Sequence, residues 1–199
     1  MTVETRRYEK KRRAELEAET RRRITESAVE LHGTLGPSRT SMSAVAERAG
    51  VRRSTLYRHF PDEQALFNAC STHWRTLNPP PDLEAWATIE DPDERLRSAL
   101  EELYGFYRGT SEMLDNLFRD EATVPAVKKT FAAGFRPYMA AADRTVLAGR
   151  GRTPRRVQAA IGHALAFPTW RSLAVEQGLD DAHAADLMCR LVAAAADST

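Results

Sequence analysis

The chain lacks the features of membrane-spanning, secreted and disulfide-stabilised proteins. It has no stretch of about 18 apolar residues, so we expect no membrane span. The charged N-terminus is not followed by the apolar segment of a secretory signal. The only two cysteines, Cys70 and Cys189, lie far apart and have no histidine at metal-ligand spacing. We interpret both as buried free thiols in a reducing compartment, and therefore expect a cytoplasmic protein.

Motifs of enzymatic catalysis are missing as well. The sequence shows no glycine-rich phosphate loop, no metal-spaced cluster of His, Cys, Asp and Glu, and no recognisable nucleophile–base pair. We therefore expect no enzymatic activity, no cofactor and no metal site. Runs of β-branched residues are scarce, whereas alanine and leucine are common, so the composition predicts an all-α fold.

Charge is distributed unevenly along the chain. Residues 1–60 carry 14 lysines and arginines against 8 acidic residues, whereas residues 61–199 carry 15 against 20. The near-neutral total therefore hides a basic N-terminal part and an acidic remainder. This asymmetry predicts a polyanionic partner for the N-terminal part alone.

The segment from Ser41 to Phe60 has the pattern of a helix-turn-helix. Ala46 supplies a small residue where two short helices cross, and Gly50 supplies a turn residue that tolerates positive φ. The outward face of the second helix carries hydrogen-bond donors and no acid, namely Arg52, Arg53, Ser54, Thr55, Tyr57, Arg58 and His59. Such a face suits the major groove of DNA. The alternative is a plain helical hairpin with a solvated basic face.

Three segments follow from the helix breakers. Residues 1–18 form a basic N-terminal arm, and residues 19–77 form the helix-turn-helix domain. The consecutive prolines Pro79–Pro81 cannot continue a helix, so residues 78–199 form a second domain. The arm, with the cationic run from Arg6 to Arg13, either contacts the DNA backbone or an adjacent minor groove, or is a solvated extension. The sequence leaves both alternatives open.

Hydrophobic periodicity and capping residues predict about nine helices. They are expected over about 10–33, 41–48, 52–59, 62–76, 92–109, 111–121, 124–148 and 153–177, and from about 181 onward. Pro168 should kink the eighth of these helices. On the first helix, the i,i+4 spacing predicts ion pairs between Glu17 and Arg21 and between Glu19 and Arg23.

The string Thr40–Phe60, which ends in Thr-Leu-Tyr-Arg-His-Phe and is followed by Pro61-Asp62 and Leu66-Phe67, resembles the signature of TetR-type (tetracycline-repressor-like) regulators. The resemblance implies an N-terminal three-helix DNA-binding domain and a C-terminal helical domain that dimerises and binds a ligand. It places the DNA contacts on Ser41, Arg52, Arg53, Ser54, Thr55, Tyr57, Arg58 and His59. Tyr57 and His59 are expected on phosphates, and Arg53 or Thr55 nearest the bases. Glu63 departs from the family pattern, because many members have a phosphate-contacting lysine there.

Aromatic and sulfur-containing side chains gather in the middle helices and are candidates for an effector pocket. The candidates are Tyr104, Tyr107, Met113, Phe118, Phe135, Tyr138, His163, Phe167 and Trp170. Their helical spacing equally fits a hydrophobic core, and His163 is either a core histidine or a ligand contact. The expected effector is a hydrophobic or aromatic small molecule.

The last two predicted helices are rich in alanine, which lets helices approach closely. Together with the resemblance, this predicts a homodimer joined through these helices and a palindromic DNA operator. We therefore expect a ligand-responsive transcriptional regulator, a repressor that a small molecule releases from double-stranded DNA. The alternative is a helical protein-interaction adaptor that has lost DNA binding.

Overall fold

The computed structural model describes the backbone of residues 3–197 and the side chains of residues 7–197. Within these residues the chain is helical and contains no strand, which confirms the all-α prediction. The eleven α-helices are α1 (Val3–Thr34), α2 (Met42–Arg48), α3 (Arg53–His59), α4 (Glu63–Leu77), α5 (Leu83–Ala87), α6 (Pro92–Asp120), α7 (Pro125–Thr130), α8 (Arg136–Leu147), α9 (Arg155–Leu165), α10 (Phe167–Trp170) and α11 (Asp181–Asp197).

The chain forms two compact units. The first comprises the chain up to Asn78 together with Asp115–Thr130, and the second comprises Pro79–Leu114 and the chain from Phe131 onward. The sequence predicted two contiguous domains with a boundary at residue 78, whereas here Asp115–Thr130 belongs to the first unit. That segment clusters with the first unit because α7 packs on α4 and the last turn of α6 bonds to the end of α1.

The first unit is held together by α1, which packs on α2 and α4 through the buried residues Ile24 and Ala28. At the end of α1, the Asn116 amide donates to the carbonyl of His32 at 3.1 Å. The Asp120 carboxylate accepts from the backbone N–H of Ser38 at 2.9 Å. These side chains satisfy backbone groups that a helix end leaves unpaired.

Gly36 is required in the turn between α1 and α2. Its φ of 92° lies in the left-handed region, and a Cβ there would lie 2.7 Å from Oδ2 of Asp120. Any other residue would therefore disturb both the backbone and the carboxylate that holds the turn.

Two helices predicted over 92–109 and 111–121 are a single helix, α6. Gly109 and Thr110 suggested a break, but Thr110 is buried and its hydroxyl donates to the carbonyl of Phe106 at 2.6 Å. Packing outweighs the cost of a helical glycine, which is about 1 kcal/mol.

The two long helices that follow are interrupted. The one predicted over 124–148 contains a π-helical segment over Phe131–Phe135, directly before Pro137, whose missing N–H and ring oppose a regular turn. Pro168 breaks the helix predicted over 153–177 instead of kinking it. Ala166 is extended, with φ −75° and ψ 135°, and a π-helical segment over Arg171–Glu176 follows α10.

Candidate nucleic-acid interface and effector region

The turn between α2 and α3 is built from capping hydrogen bonds. Ser41 caps α2, and its Oγ accepts from the backbone N–H of Ala44 at 3.1 Å. Gly50, with φ 63°, ends α2, and the next residue, Val51, donates its N–H to the carbonyl of Ala46 at 3.0 Å. This is the Schellman arrangement of a helix end, and it sets the direction in which α3 leaves the turn.

The buried side of α3 anchors the helix and leaves the predicted donors outside. Leu56 and Phe60 are fully buried beneath it. The exposed side chains are Arg52, Arg53, Ser54, Tyr57 and Arg58, and the half-buried ones are Thr55 and His59. The structure therefore brings all seven α3 candidates to one short segment, with five of them fully available to a partner.

Arg53 and Tyr57 are coupled on the exposed face. One guanidinium nitrogen of Arg53 lies 3.3 Å from the Tyr57 hydroxyl, and the guanidinium carbon lies 5.5 Å from the centre of the ring. The i,i+4 spacing makes this contact possible. The pair presents a cation and a hydroxyl side by side, which suits a phosphate or a base edge.

Arg21 of α1 was not predicted to take part in this surface. Its guanidinium donates to the carbonyl of His59 at 2.6 Å and lies 4.1 Å above the Phe60 ring. It therefore caps the C-terminal end of α3. Arg23, two residues further along α1, donates to the carbonyl of Ala49 at 2.7 Å. The predicted ion pairs of Arg21 with Glu17 and of Arg23 with Glu19 are therefore wrong. Glu17 and Glu19 pair with other arginines.

His59 is half-buried at the end of α3. Burial, followed by the nearby guanidinium groups of Arg58 and Arg21, lowers the pKa of His59. Its Nε2 atom is buried and has no hydrogen-bond partner within the described residues. The lowered pKa favours the neutral imidazole, which has one N–H donor.

Glu63 has a structural role at the start of α4. It is the first residue of that helix, directly after the cap Asp62, whose carboxylate accepts from the backbone N–H of Ala65 at 2.7 Å. An acid in the first turn is favourable next to the helix dipole. The acid therefore stabilises α4, at a place where the family pattern has a phosphate-contacting lysine.

Four of the nine candidate effector residues form a buried cluster in the second unit. The hydroxyls of Tyr104 and Tyr107 donate to the carbonyls of Ala164 and Leu165, each at 2.8 Å. The Tyr107 ring packs on Phe167 and Trp170 with centroid distances of 5.3 and 5.9 Å. These side chains fill the core, and the two hydroxyls already have backbone partners.

The other candidates are dispersed. Phe118 lies in the first unit, whereas Met113, Phe135 and Tyr138 are half-buried in the second. The Tyr138 hydroxyl donates to the carbonyl of Pro81 at 2.9 Å. His163 is exposed, with a ring nitrogen 3.2 Å from the Thr169 hydroxyl, so it is not a core histidine.

The partners of the acid at the start of α11 were not predicted. The Asp181 carboxylate accepts two hydrogen bonds from Arg108, both at 2.7 Å, and one from the Trp170 indole at 2.9 Å. It ties α6 and the aromatic cluster to α11. No sequence signal marks this contact, because its partners are far apart in the chain.

α11 leaves an apolar strip exposed. Leu187 and Leu191, one turn apart, are 38% and 49% exposed. On α9, which packs beside α11, Ala159, Gly162 and His163 are also exposed. By contrast, Ala184 and Ala185 are buried, so part of the alanine content serves packing within the unit.

Two further findings concern absences. Across residues 3–197 no helix combines the length and apolar character that a membrane crossing requires. Over the same part of the chain, no three His, Cys, Asp or Glu side chains are grouped as metal ligands.

Known proteins resemble this chain in sequence over one segment and in fold over most of its length. Residues 24–70 match the family model described as bacterial regulatory proteins, tetR family. A TetR-like transcriptional regulator from Rhodococcus sp. RHA1 is 21% identical, with a TM-score of 0.64 over 90% of this chain and 97% of that chain. A search of curated protein sequences finds no match.

Two other similar structures contain small molecules. The multidrug binding protein EbrR, complexed with imidazole, is 22% identical, with a TM-score of 0.55 over 87% of this chain and 89% of that chain. SmeT, complexed with triclosan, is 19% identical, with a TM-score of 0.56 over 88% and 90%. At these identities the likeness establishes the fold.

Proposed function

We propose that this chain is a TetR-type transcriptional repressor that a small molecule releases from DNA. The proposal is supported by the match of residues 24–70 to the tetR family model and by a fold shared with TetR-like regulators. In this proposal, the protein binds a palindromic operator in the cytoplasm as a homodimer. It needs no catalytic group or cofactor.

The observation that carries the proposal is the exposed face of α3. Arg52, Arg53, Tyr57 and Arg58 are exposed on a helix that the Gly50 turn and the buried Leu56 hold in place. A donor-only face of this size matches the acceptors of base edges and phosphates. The adaptor alternative has no comparable support, since a protein-binding surface would not need to retain every donor.

Dimerisation is proposed through α9 and α11. The exposed Leu187 and Leu191 form an apolar strip beside the small residues of α9, as a bundle of four helices requires. A two-fold dimer would place two α3 helices about 34 Å apart or a multiple of that distance, and so predicts a palindromic site.

The effector is proposed to act as a hydrophobic or aromatic ligand of the second unit. The complexes of EbrR with imidazole and of SmeT with triclosan support this class of ligand. Met113, Phe135 and Tyr138 are half-buried and are therefore more accessible than the buried candidates Tyr104, Tyr107, Phe167 and Trp170. A 100-fold release from DNA requires about 2.7 kcal/mol of differential binding between the two states.

The test is selection of DNA from a randomised pool with the purified protein at physiological salt. The double variant Arg53→Ala, Tyr57→Ala removes the coupled pair, and Arg75→Ala, an exposed cation near the end of α4, serves as the control. We expect the wild type and the control to enrich one palindromic site and the double variant to enrich none. Enrichment that survives the double variant would refute the DNA-binding role of α3 and favour the adaptor.

A further inference from the structure

The N-terminal part of α1 is a solvated helix rather than an irregular arm. The helix begins at Val3, yet every described side chain from Arg7 to Glu19 is exposed, and full burial starts only at Ile24. The side chain of Arg6 lies outside the described residues. We call residues 7–19 the helical extension. The sequence predicted that this helix begins near residue 10, whereas α1 begins at Val3.

One face of the helical extension continues the buried face of α1. Lys10, Arg13 and Glu17 precede Arg21 and then the buried Ile24 at intervals of three or four residues, so these positions share a side of the helix. On the N-terminal side of Arg21 this face carries the exposed charged residues Glu17, Arg13 and Lys10 in place of apolar ones. Because the face no longer covers a core, we expect it to serve another partner.

Acidic residues lie on the opposite face. Glu15 and Glu19 follow the spacing of Glu26, and Arg22 is paired with both Glu19 and Glu26, at 2.8 and 2.7 Å. The acids of this face are therefore partly neutralised by their own neighbours. Lys11 and Arg12 share this side with the acids, and Lys11 is paired with Glu15 at 3.9 Å. Lys10 and Arg13 therefore differ from Lys11 and Arg12 in lying on the side of Arg21, which contacts α3.

Arg21 connects the side that carries Lys10 and Arg13 to the recognition surface. Its guanidinium bonds to the last carbonyl of α3 and covers Phe60. Eleven residues separate Arg21 from Lys10, which is about 16 Å along a helix. That length corresponds to about five base pairs of DNA.

We infer that the helical extension is a rigid phosphate clamp, in which Lys10 and Arg13 bind the DNA backbone beside the bases that α3 contacts. The inference rests on the proposed DNA-binding function and adds a contact outside the α3 site. Arg13 is paired with Glu17 at 3.3 Å, but both side chains are exposed. An exposed ion pair contributes about 0–1 kcal/mol, so a phosphate competes with it readily.

The test compares two DNA duplexes, namely the selected operator at its minimal length and the same operator extended by about five base pairs at each end. The double variant Lys10→Gln, Arg13→Gln removes both cations from the side of Arg21. The matched control Lys11→Gln, Arg12→Gln removes the same charge from other sides of the helix. Affinity is measured as a function of salt concentration for both duplexes.

We expect the wild type and the control to bind the extended duplex about ten-fold more tightly than the minimal one. The Lys10, Arg13 variant should lose this gain, and its salt slope should fall by up to about 3.6 for a dimer, since each phosphate contact contributes about 0.9. Equal affinity of the wild type for both duplexes would overturn the inference. So would an equal loss in the control variant.

A third variant, Ala18→Pro, tests whether the clamp must be helical. It keeps every cation but breaks α1 between Arg13 and Arg21. If the clamp is rigid, this variant loses the tighter binding of the extended duplex. If the segment is a flexible tail in the minor groove, the variant keeps the tighter binding, and that outcome would refute the clamp. All these variants should still bind the minimal duplex, whereas Arg53→Ala, Tyr57→Ala should not bind it. This comparison separates failure of the clamp from failure of the proposed function.

Discussion

Two tyrosine hydroxyls make the break at Pro168 possible. Pro168 has no N–H to donate to the carbonyl of Ala164, and the N–H of Thr169 goes to Ala166. Tyr104 and Tyr107 donate instead to the carbonyls of Ala164 and Leu165. Burial raises the pKa of Tyr107 well above its usual value, which keeps its hydroxyl protonated as a donor.

Tyr104→Phe is therefore expected to destabilise the protein. The change removes only the hydroxyl and leaves the carbonyl of Ala164 without its buried partner, at a cost of about 1–3 kcal/mol. Urea unfolding at neutral pH measures this loss. Tyr8→Phe, at a side chain that is 67% exposed, is the control and should shift stability by less than about 0.5 kcal/mol. An unchanged unfolding midpoint for Tyr104→Phe would mean that the hydroxyl is dispensable at the break.

Arg21 shows why some residues of the candidate interface could not be predicted. Its spacing fits an ion pair with Glu17 on the same helix, and that local signal favoured the pair. The actual partner is the carbonyl of His59, 38 residues away in the sequence. By contrast, the outward donors of α3 were predictable, because their positions follow from the helix period around Leu56 and Phe60.

The helices differ in how well the sequence predicts them. The bounds of α2, α3 and α4 follow from local capping and turn residues such as Ser41, Gly50 and Asp62, so the prediction is close. The continuity of α6 through Gly109 depends on tertiary packing, which a local pattern does not contain. The break before Pro168 depends on the two distant tyrosine donors, so the sequence alone favoured a kink.

The junction of α1 and α4 contains a histidine that responds to pH. Burial lowers the pKa of His32 to about 4, and its ring packs on Phe67 with its Nδ1 3.5 Å from Sγ of Cys70. The unfolded state, with a pKa near 6.5, binds more protons between about pH 6.5 and pH 4. The free energy of unfolding should therefore fall by up to about 3 kcal/mol as the pH falls through this window.

His32→Gln should remove this part of the pH dependence, because the variant has no group that titrates there. The measurement is urea unfolding between pH 7 and pH 4 for the wild type and the variant. Parallel pH profiles for the wild type and His32→Gln would contradict the role assigned to His32.

At the scale of the whole molecule, the predicted effector residues separate into different environments. Periodicity identified aromatic positions correctly as helical, but the same spacing describes a core and a ligand pocket. Tyr107, Phe167 and Trp170 are core residues of the second unit, whereas Phe118 belongs to the first unit. Which unit a side chain joins depends on contacts between distant segments, and only the structure gives these.

The last prediction concerns assembly. If α9 and α11 join two copies, Leu187→Glu with Leu191→Glu places charges in an apolar interface and should give a monomer. Leu77→Glu, at an exposed apolar residue of the first unit, is the control and should remain a dimer. Sedimentation at micromolar concentration measures the mass, and thermal unfolding checks that each variant is folded.

The same variants connect assembly to DNA binding. A dimer contacts both halves of a palindrome, whereas a monomer retains α3 and therefore binds each half-site separately. The Leu187, Leu191 variant should therefore lose the preference for the full operator over a single half-site, and the control should keep it. A folded double variant that still sediments as a dimer would place the interface elsewhere on the surface and would leave α11 without an assigned partner.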